Sequence, residues 1–295
     1  MKLKLEGIWT PIPTPLTKRG KVDTDVTGRL VDFHIESGID GLLPLGTSGE
    51  FALLQKEERK ALVNTVVEQA DGRVPVVAGV SDPSIENVVE LSEDAKEAGA
   101  DAVIATPPYY FTTTDEGHYQ HFKTISESID LPLMIYNIPE WTHSLVTPEI
   151  VQRLADENLV VGMKYTEYNF LNLIRFLRAS RNKIAIFAGS DAMAYSNLEF
   201  GGAGAIIGSA NVAPKLASKI FDDYKKGNLS EAREAQEKLL PVIMALGVGK
   251  YPAALKEAMN LIGIPVGPLK EPLQPLSTIE KKTMAELLRG GGFLS

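Results

Sequence analysis

The sequence predicts an α/β fold, a (β/α)8 TIM barrel with a C-terminal helical extension. Eight short apolar runs alternate with amphipathic, charge-bearing stretches through the first three quarters of the 295 residues. That alternation marks parallel strands covered by helices. A small-residue joint also recurs, as Ser37-Gly38-Ile39-Asp40-Gly41, Ala98-Gly99-Ala100-Asp101-Ala102 and Gly201-Gly202-Ala203-Gly204-Ala205, each time before an apolar run. Finally, no glycine-rich dinucleotide fingerprint follows an early strand, as an open doubly wound sheet would usually show.

The strands are expected at Gly7–Pro11, Gly41–Leu45, Val74–Gly79, Ala102–Ala105, Leu133–Tyr136, Val160–Lys164, Ile184–Ala188 and Ala205–Ile207. Helical stretches lie between them, among them Gln55–Gln69, Ile85–Ala98 and Thr147–Glu157. The glycine of each joint suits a left-handed helix C-cap, after which the chain turns into the next strand. Past Asn211 the strands stop, and Lys215–Lys226, Leu229–Leu246, Ala253–Ile262 and Thr278–Leu288 read as helices. A proline-rich segment from Pro265 to Pro275 interrupts them. The expected division is a barrel over residues 1–226 and a helical extension over 227–295. A barrel of about 250 residues fits this length with a modest addition.

The chain is 44% hydrophobic and 23% charged, with a formal net charge of −8. That balance, without a long basic run, argues against nucleic acid or an anionic membrane as a partner. The absence of cysteine removes disulfides, thiolate metal sites and thiol nucleophiles. The stretch from Met1 to Gly7 lacks the apolar core of a signal peptide. No run approaches the roughly 20 apolar residues of a membrane span. A cytoplasmic protein is the expectation. The histidines are His34, His118, His121 and His143. His118 and His121 fall on an expected surface helix with no carboxylate cluster beside them, so metal-independent chemistry is expected.

A barrel keeps its chemistry at the C-terminal ends of its strands. Strand six ends in Gly162-Met163-Lys164, and a desolvated lysine amine loses its charge readily and can attack a carbonyl. Strand five ends in Tyr136-Asn137-Ile138-Pro139 and should lie beside strand six, within reach of Lys164. A phenol there can shuttle protons. Strand two ends in Gly46-Thr47-Ser48-Gly49-Glu50, whose N–H groups and hydroxyls can nest a carboxylate or phosphate. An ordinary Gly/Ser turn is the plainer reading of that motif alone. Strand four ends in Pro107-Pro108-Tyr109-Tyr110, a stiff exit with phenols. Strand seven leads to Gly189-Ser190-Asp191 and strand eight to Gly208-Ser209-Ala210-Asn211. These can bind a hydroxylated tail or a phosphate, or cap the helices that follow.

Together these motifs resemble the dihydrodipicolinate synthase / N-acetylneuraminate lyase superfamily, the pyruvate-dependent class I aldolases. Four motifs agree in order and spacing: Gly46–Glu50, Pro108-Tyr109-Tyr110, Tyr136–Pro139 and Gly162-Met163-Lys164. The resemblance implies that Lys164 forms a Schiff base with a 2-oxo acid and that Tyr136 donates and accepts protons. It implies that Thr47 and Ser48 hold the substrate carboxylate, with Thr47 also in a relay with the tyrosines. Tyr110 would act with a neighbouring subunit in a homotetramer, a dimer of dimers. The backbone near Ile206 would line the pyruvate pocket, and no cofactor is implied.

The sequence departs from the synthase branch at one position. An arginine that grips aspartate semialdehyde usually follows the strand-five motif, and here Trp141 stands in its place beside Glu140. An indole offers no bidentate cationic grip. The sequence therefore favours reversible cleavage of a 2-keto-3-deoxy sugar acid to pyruvate and an aldehyde. Lys164-Tyr165-Thr166 also resembles that branch, and Gly189, Ser190, Asp191 and Ser209 would meet the hydroxylated tail. The alternatives are a 4-hydroxy-tetrahydrodipicolinate (dihydrodipicolinate) synthase and a catalytically silent keto-acid-binding protein.

Overall fold

Eight parallel strands pair into one sheet that curls into a ring. The computed structural model describes residues 3–294; Met1 and Lys2, at the head of the stretch read for a leader, and Ser295 lie outside the described residues. In chain order the elements are β1 (Gly7–Pro11), α1 (Thr24–Glu36), β2 (Gly41–Leu43), α2 (Lys56–Ala70), β3 (Val77–Gly79), α3 (Ile85–Ala98), β4 (Ala102–Ala105), α4 (Asp115–Ser128) and β5 (Leu133–Asn137). Next come α5 (Pro139–Thr142), α6 (Pro148–Asp156), β6 (Gly162–Tyr165), α7 (Phe170–Ser180), β7 (Ala185–Ala188), α8 (Ala194–Glu199), β8 (Gly204–Ile206) and α9 (Pro214–Lys225). The extension holds α10 (Leu229–Lys238), α11 (Leu240–Leu246), α12 (Ala253–Leu261) and α13 (Thr278–Gly290).

The sheet runs β2-β1-β8-β7-β6-β5-β4-β3. Its two ends meet through a parallel bridge from Leu42 to Val76, so the fold is a (β/α)8 barrel. The amides of Leu42 and Gly79 donate to the carbonyls of Pro75 and Pro44, each at 3.0 Å. Several strands are shorter than the apolar runs suggest. β2 stops at Leu43 and β3 starts at Val77, because Pro44 and Pro75 have no N–H to give to a ladder.

The recurring joint acts as a clasp. Gly38 and Gly99 hold φ of +85° and +89°, the left-handed conformation expected of them. The aspartate that follows then fastens two strands. Asp40 donates its amide to Ile8 O at 2.9 Å and accepts the Ile8 amide on Oδ2 at 2.8 Å. Asp101 does the same with Val76, at 2.9 and 2.8 Å. In the third copy the left-handed residue is Gly201, one place earlier than the alignment of the copies suggests. A glycine replaces the aspartate there, because a Cβ on Gly204 would lie 1.9 Å from Gly7 O.

Two apolar layers result. Trp9, Leu43, Val77, Ile104, Met134, Phe187 and Ile206 fill the barrel interior, while a larger cluster joins the outer strand faces to the helices and includes residues of the extension. The expected single helix Leu229–Leu246 is two helices meeting at Leu239. Pro241 in the first turn of α11 cannot continue α10. His118 and His121 are buried, not on a surface face, and His121 Nε2 lies 3.1 Å from Thr106 O. Burial holds both imidazoles below their ordinary range, His121 at about 4. No helix among the described residues is long and apolar enough to cross a membrane.

Burial raises the Asp40 carboxyl to about 6, against the lowering effect of the Ile8 amide. A folded pKa above the unfolded value gives stability that is present in acid and lost as pH rises through about 6. Urea melts of Asp40→Asn and wild type should therefore diverge in the variant's favour between pH 4 and pH 7; a constant difference would show that the carboxyl is not so shifted.

Candidate active site

Parallel pairing places the two chief side chains together. Tyr136 on β5 and Lys164 on β6 are register partners, so both side chains project from the same sheet face. Lys164 is 4% exposed and donates from Nζ to Tyr136 Oη at 3.2 Å, with the amine 4.4 Å from the ring centroid. Among the described residues Lys164 makes no salt bridge. The phenol continues the chain, with Tyr136 Oη lying 3.0 Å from Thr47 Oγ1.

Thr47 and Ser48 sit in a 3₁₀ turn, Thr47–Gly49, between two residues in left-handed conformations, Leu45 and Glu50, with φ of 61° and 56°. A non-glycine residue held there costs about 1–2 kcal/mol. The turn is held from outside. Thr14 Oγ1 donates to Gly49 O at 2.6 Å, and Glu50, buried, meets Lys256 Nζ at 2.6 Å. The second Glu50 oxygen accepts the Lys270 amide at 2.6 Å. Burial lowers the Lys256 ammonium below its ordinary range, and Glu50 opposes that shift. Ser48 Oγ lies 2.6 Å from Tyr251 Oη, a phenol brought from the extension.

These groups face one cavity of about 460 Å³. Of the residues singled out in the sequence, Thr47, Ser48, Tyr136, Lys164, Gly189, Ser190 and Asp191 line it. Gly189 has to be glycine, since a Cβ would fall 1.9 Å from Thr166 Oγ1. Burial raises the Asp191 carboxyl, while bonds from Ser209 and the Lys164 charge pull it down. The Ser209 amide donates to Asp191 Oδ1 at 2.6 Å, so Ser209 stands behind the wall and reaches the cavity through Asp191. Ile206 packs inside the barrel with Trp9 and Phe187, and Gly208 forms the wall at that strand end.

Tyr110 does not enter the cavity of its own chain. It is 85% exposed at φ +74° and packs edge-on against Phe111 at 4.9 Å. Tyr109 turns inward instead, edge-on to Phe51 at 6.3 Å, and burial pushes its phenol up to about 12. Trp141, half exposed on α5, lines both this cavity and an adjoining one of about 270 Å³ that also reaches Thr47. Gly208 of the strand-eight motif also lines the main cavity, as do Tyr251 and Lys250, which carry no motif in the sequence. Tyr251 lies 203 residues from its partner Ser48, a contact that only the path of the extension creates.

The arrangement holds an amine, a phenol and a hydroxyl in one hydrogen-bonded row, with a second hydroxyl alongside. Residues 4–290 match the model of the dihydrodipicolinate synthetase family. The chain is 36% identical over 288 residues to a 4-hydroxy-tetrahydrodipicolinate synthase of Acetivibrio thermocellus, covering 98% of both chains. It is 37% identical over 288 residues to the enzyme of that name from Nitrosospira multiformis, covering 98% of this chain and 96% of the other. Among solved structures it superposes at a TM-score of 0.94 and 31% identity on YagE, an E. coli prophage protein of the dihydrodipicolinic acid synthase family in complex with pyruvate, covering 98% of this chain and 99% of YagE.

Tyr136→Phe removes the hydroxyl that joins Lys164 to Thr47 and keeps the ring. Turnover should fall by roughly 10²–10⁴, while a 2-oxo acid should still be trapped slowly on Lys164 by borohydride. Turnover within a few fold of wild type would place the proton transfer elsewhere.

Proposed function

The chain belongs to the dihydrodipicolinate synthetase family and is a carbon–carbon lyase of the lysine Schiff-base class, and we propose that its first substrate is pyruvate, held as an imine on Lys164. The observation that carries this reading is the line Lys164–Tyr136–Thr47, with spacings of 3.2 and 3.0 Å, beside a hydroxyl nest. The amine adds to the ketone carbon, Tyr136 passes a proton to the departing oxygen, and water leaves. Loss of a proton from the neighbouring methyl gives an enamine, whose carbon attacks an aldehyde; the reverse sequence cleaves that bond. Orientation by the nest contributes much of the rate. We further propose that the exposed pair Tyr110 and Phe111 meets a second copy, with Tyr110 extending the relay across the contact in a dimer of dimers.

For the aldehyde, the relatives' names weigh for aspartate semialdehyde and so for a 4-hydroxy-tetrahydrodipicolinate synthase. That reverses the order favoured by the sequence. Lys250 supports it, since among the described residues it is the one cation besides Lys164 on the cavity wall. One observation keeps the sugar-acid reading in play. Glu140 and Trp141 line the cavity and, among the described residues, no arginine does, which suits a neutral hydroxylated aldehyde better than a second carboxylate.

Incubation with pyruvate and borohydride should leave a stable adduct on Lys164, seen by mass spectrometry, and none on a folded Lys164→Ala variant. An unmodified wild-type lysine would sink the imine mechanism.

Rates with pyruvate plus aspartate semialdehyde, set against pyruvate plus glyceraldehyde, separate the two readings. Trp141→Arg should improve use of the semialdehyde; no change would show that the missing guanidinium does not limit it.

A further inference from the structure

The nest has two hydroxyls, and each is paired with a different phenol. Thr47 faces Tyr136 of the barrel, and Ser48 faces Tyr251, which lies between α11 and α12 of the extension. The first pair ends on Lys164. Among the described residues the second makes no hydrogen bond to the amine, so its role is of another kind.

A serine hydroxyl has one proton to give and can accept through its lone pairs. If Ser48 donates to Tyr251, nothing is left for an anion. If Tyr251 donates to Ser48, the serine proton is free to turn into the cavity. The second arrangement suits the partly buried Tyr251, because desolvation pushes the phenol's ionisation up, against the lowering effect of the Ser48 contact, and keeps it a neutral donor. Its ring is also fixed. Gly208 leaves it room, since a Cβ there would come within 3.1 Å of Tyr251 Oη. Five residues on, Lys256 clamps Glu50 at 2.6 Å and donates to Thr14 O at 2.9 Å and Pro268 O at 2.7 Å. The extension thus grips the nest at Ser48 and again at Glu50.

We propose that Tyr251 is a positioning residue for substrate binding: it donates to Ser48, turns the serine proton toward the carboxylate of the bound 2-oxo acid, and makes the extension part of the recognition site. This rests on pyruvate being the substrate. A phenol at this position adds a neutral donor behind the anion, in a cavity whose wall carries Glu140, Glu167 and Asp191 as well as Lys164 and Lys250.

The test compares pyruvate with methyl pyruvate, which keeps the ketone and lacks the carboxylate, in borohydride trapping on Lys164. Wild type should prefer pyruvate. In Tyr251→Phe, half-saturating pyruvate should rise about tenfold, the scale of one weakened bond to a charged group. Methyl pyruvate should change far less, so the preference between the two shrinks. Ser48→Ala should show the same loss, and adding Tyr251→Phe to it should cost little more, because the two residues act as a unit. Equal losses with both ketones, or additive losses in the double variant, would overturn the inference while leaving imine formation intact. Failure of wild type to trap pyruvate at all would overturn the substrate reading and this inference with it.

Discussion

The parallel register between β5 and β6 is the constraint on which the site depends. Tyr136 and Lys164 meet because they are Cα partners on neighbouring strands, not because a loop brings them together. Their separation is therefore set by the strand spacing of about 4.8 Å and the lengths of two side chains. A slip of one residue would turn one of them out of the barrel. The aspartate clasps at Asp40 and Asp101 fasten β1 and β3 at the opposite end of the barrel, and the interior layer of Trp9, Met134 and Phe187 keeps the ring from collapsing. The amine and the phenol thus stand on paired strands and not on loops, where side-chain positions are held less precisely.

The hydroxyl turn is held in a different way. Its flanking residues Leu45 and Glu50 sit in conformations that side chains resist, and such strain persists where the surroundings over-determine it. The buried Glu50–Lys256 pair supplies that determination. Removing one partner of such a pair costs about 3–5 kcal/mol, chiefly because the other charge is left stranded. The pair therefore is better understood as a fixture for geometry than as a source of net stability.

Much of this was legible in the sequence. The alternation of apolar runs carried the barrel and put Tyr136 and Lys164 on neighbouring strands, while Thr47 and Ser48, in a turn beyond β2, were singled out by the motifs of the resemblance. The errors have physical causes. Apolar runs overstate strands when a proline such as Pro44 or Pro75 ends the ladder. Amphipathic periodicity passed over Pro241, which divides the helix. Helical spacing could not say that His118 and His121 face inward. Tyr251 was invisible because its meaning comes from tertiary packing and not from its neighbours in sequence. Tyr110 matched its motif yet points away from its own cavity, since the turn that follows Pro107 and Pro108 sends it into solvent.

The contact between Ser48 and Tyr251 joins residues 203 positions apart. During synthesis the strands that carry the amine and the phenol emerge well before the segment that braces the hydroxyl turn. A ribosome-bound chain released only as far as β8 has its reacting groups but lacks the brace behind them. Completion of this contact is therefore a late event in translation, tied to the arrival of the C-terminal helices.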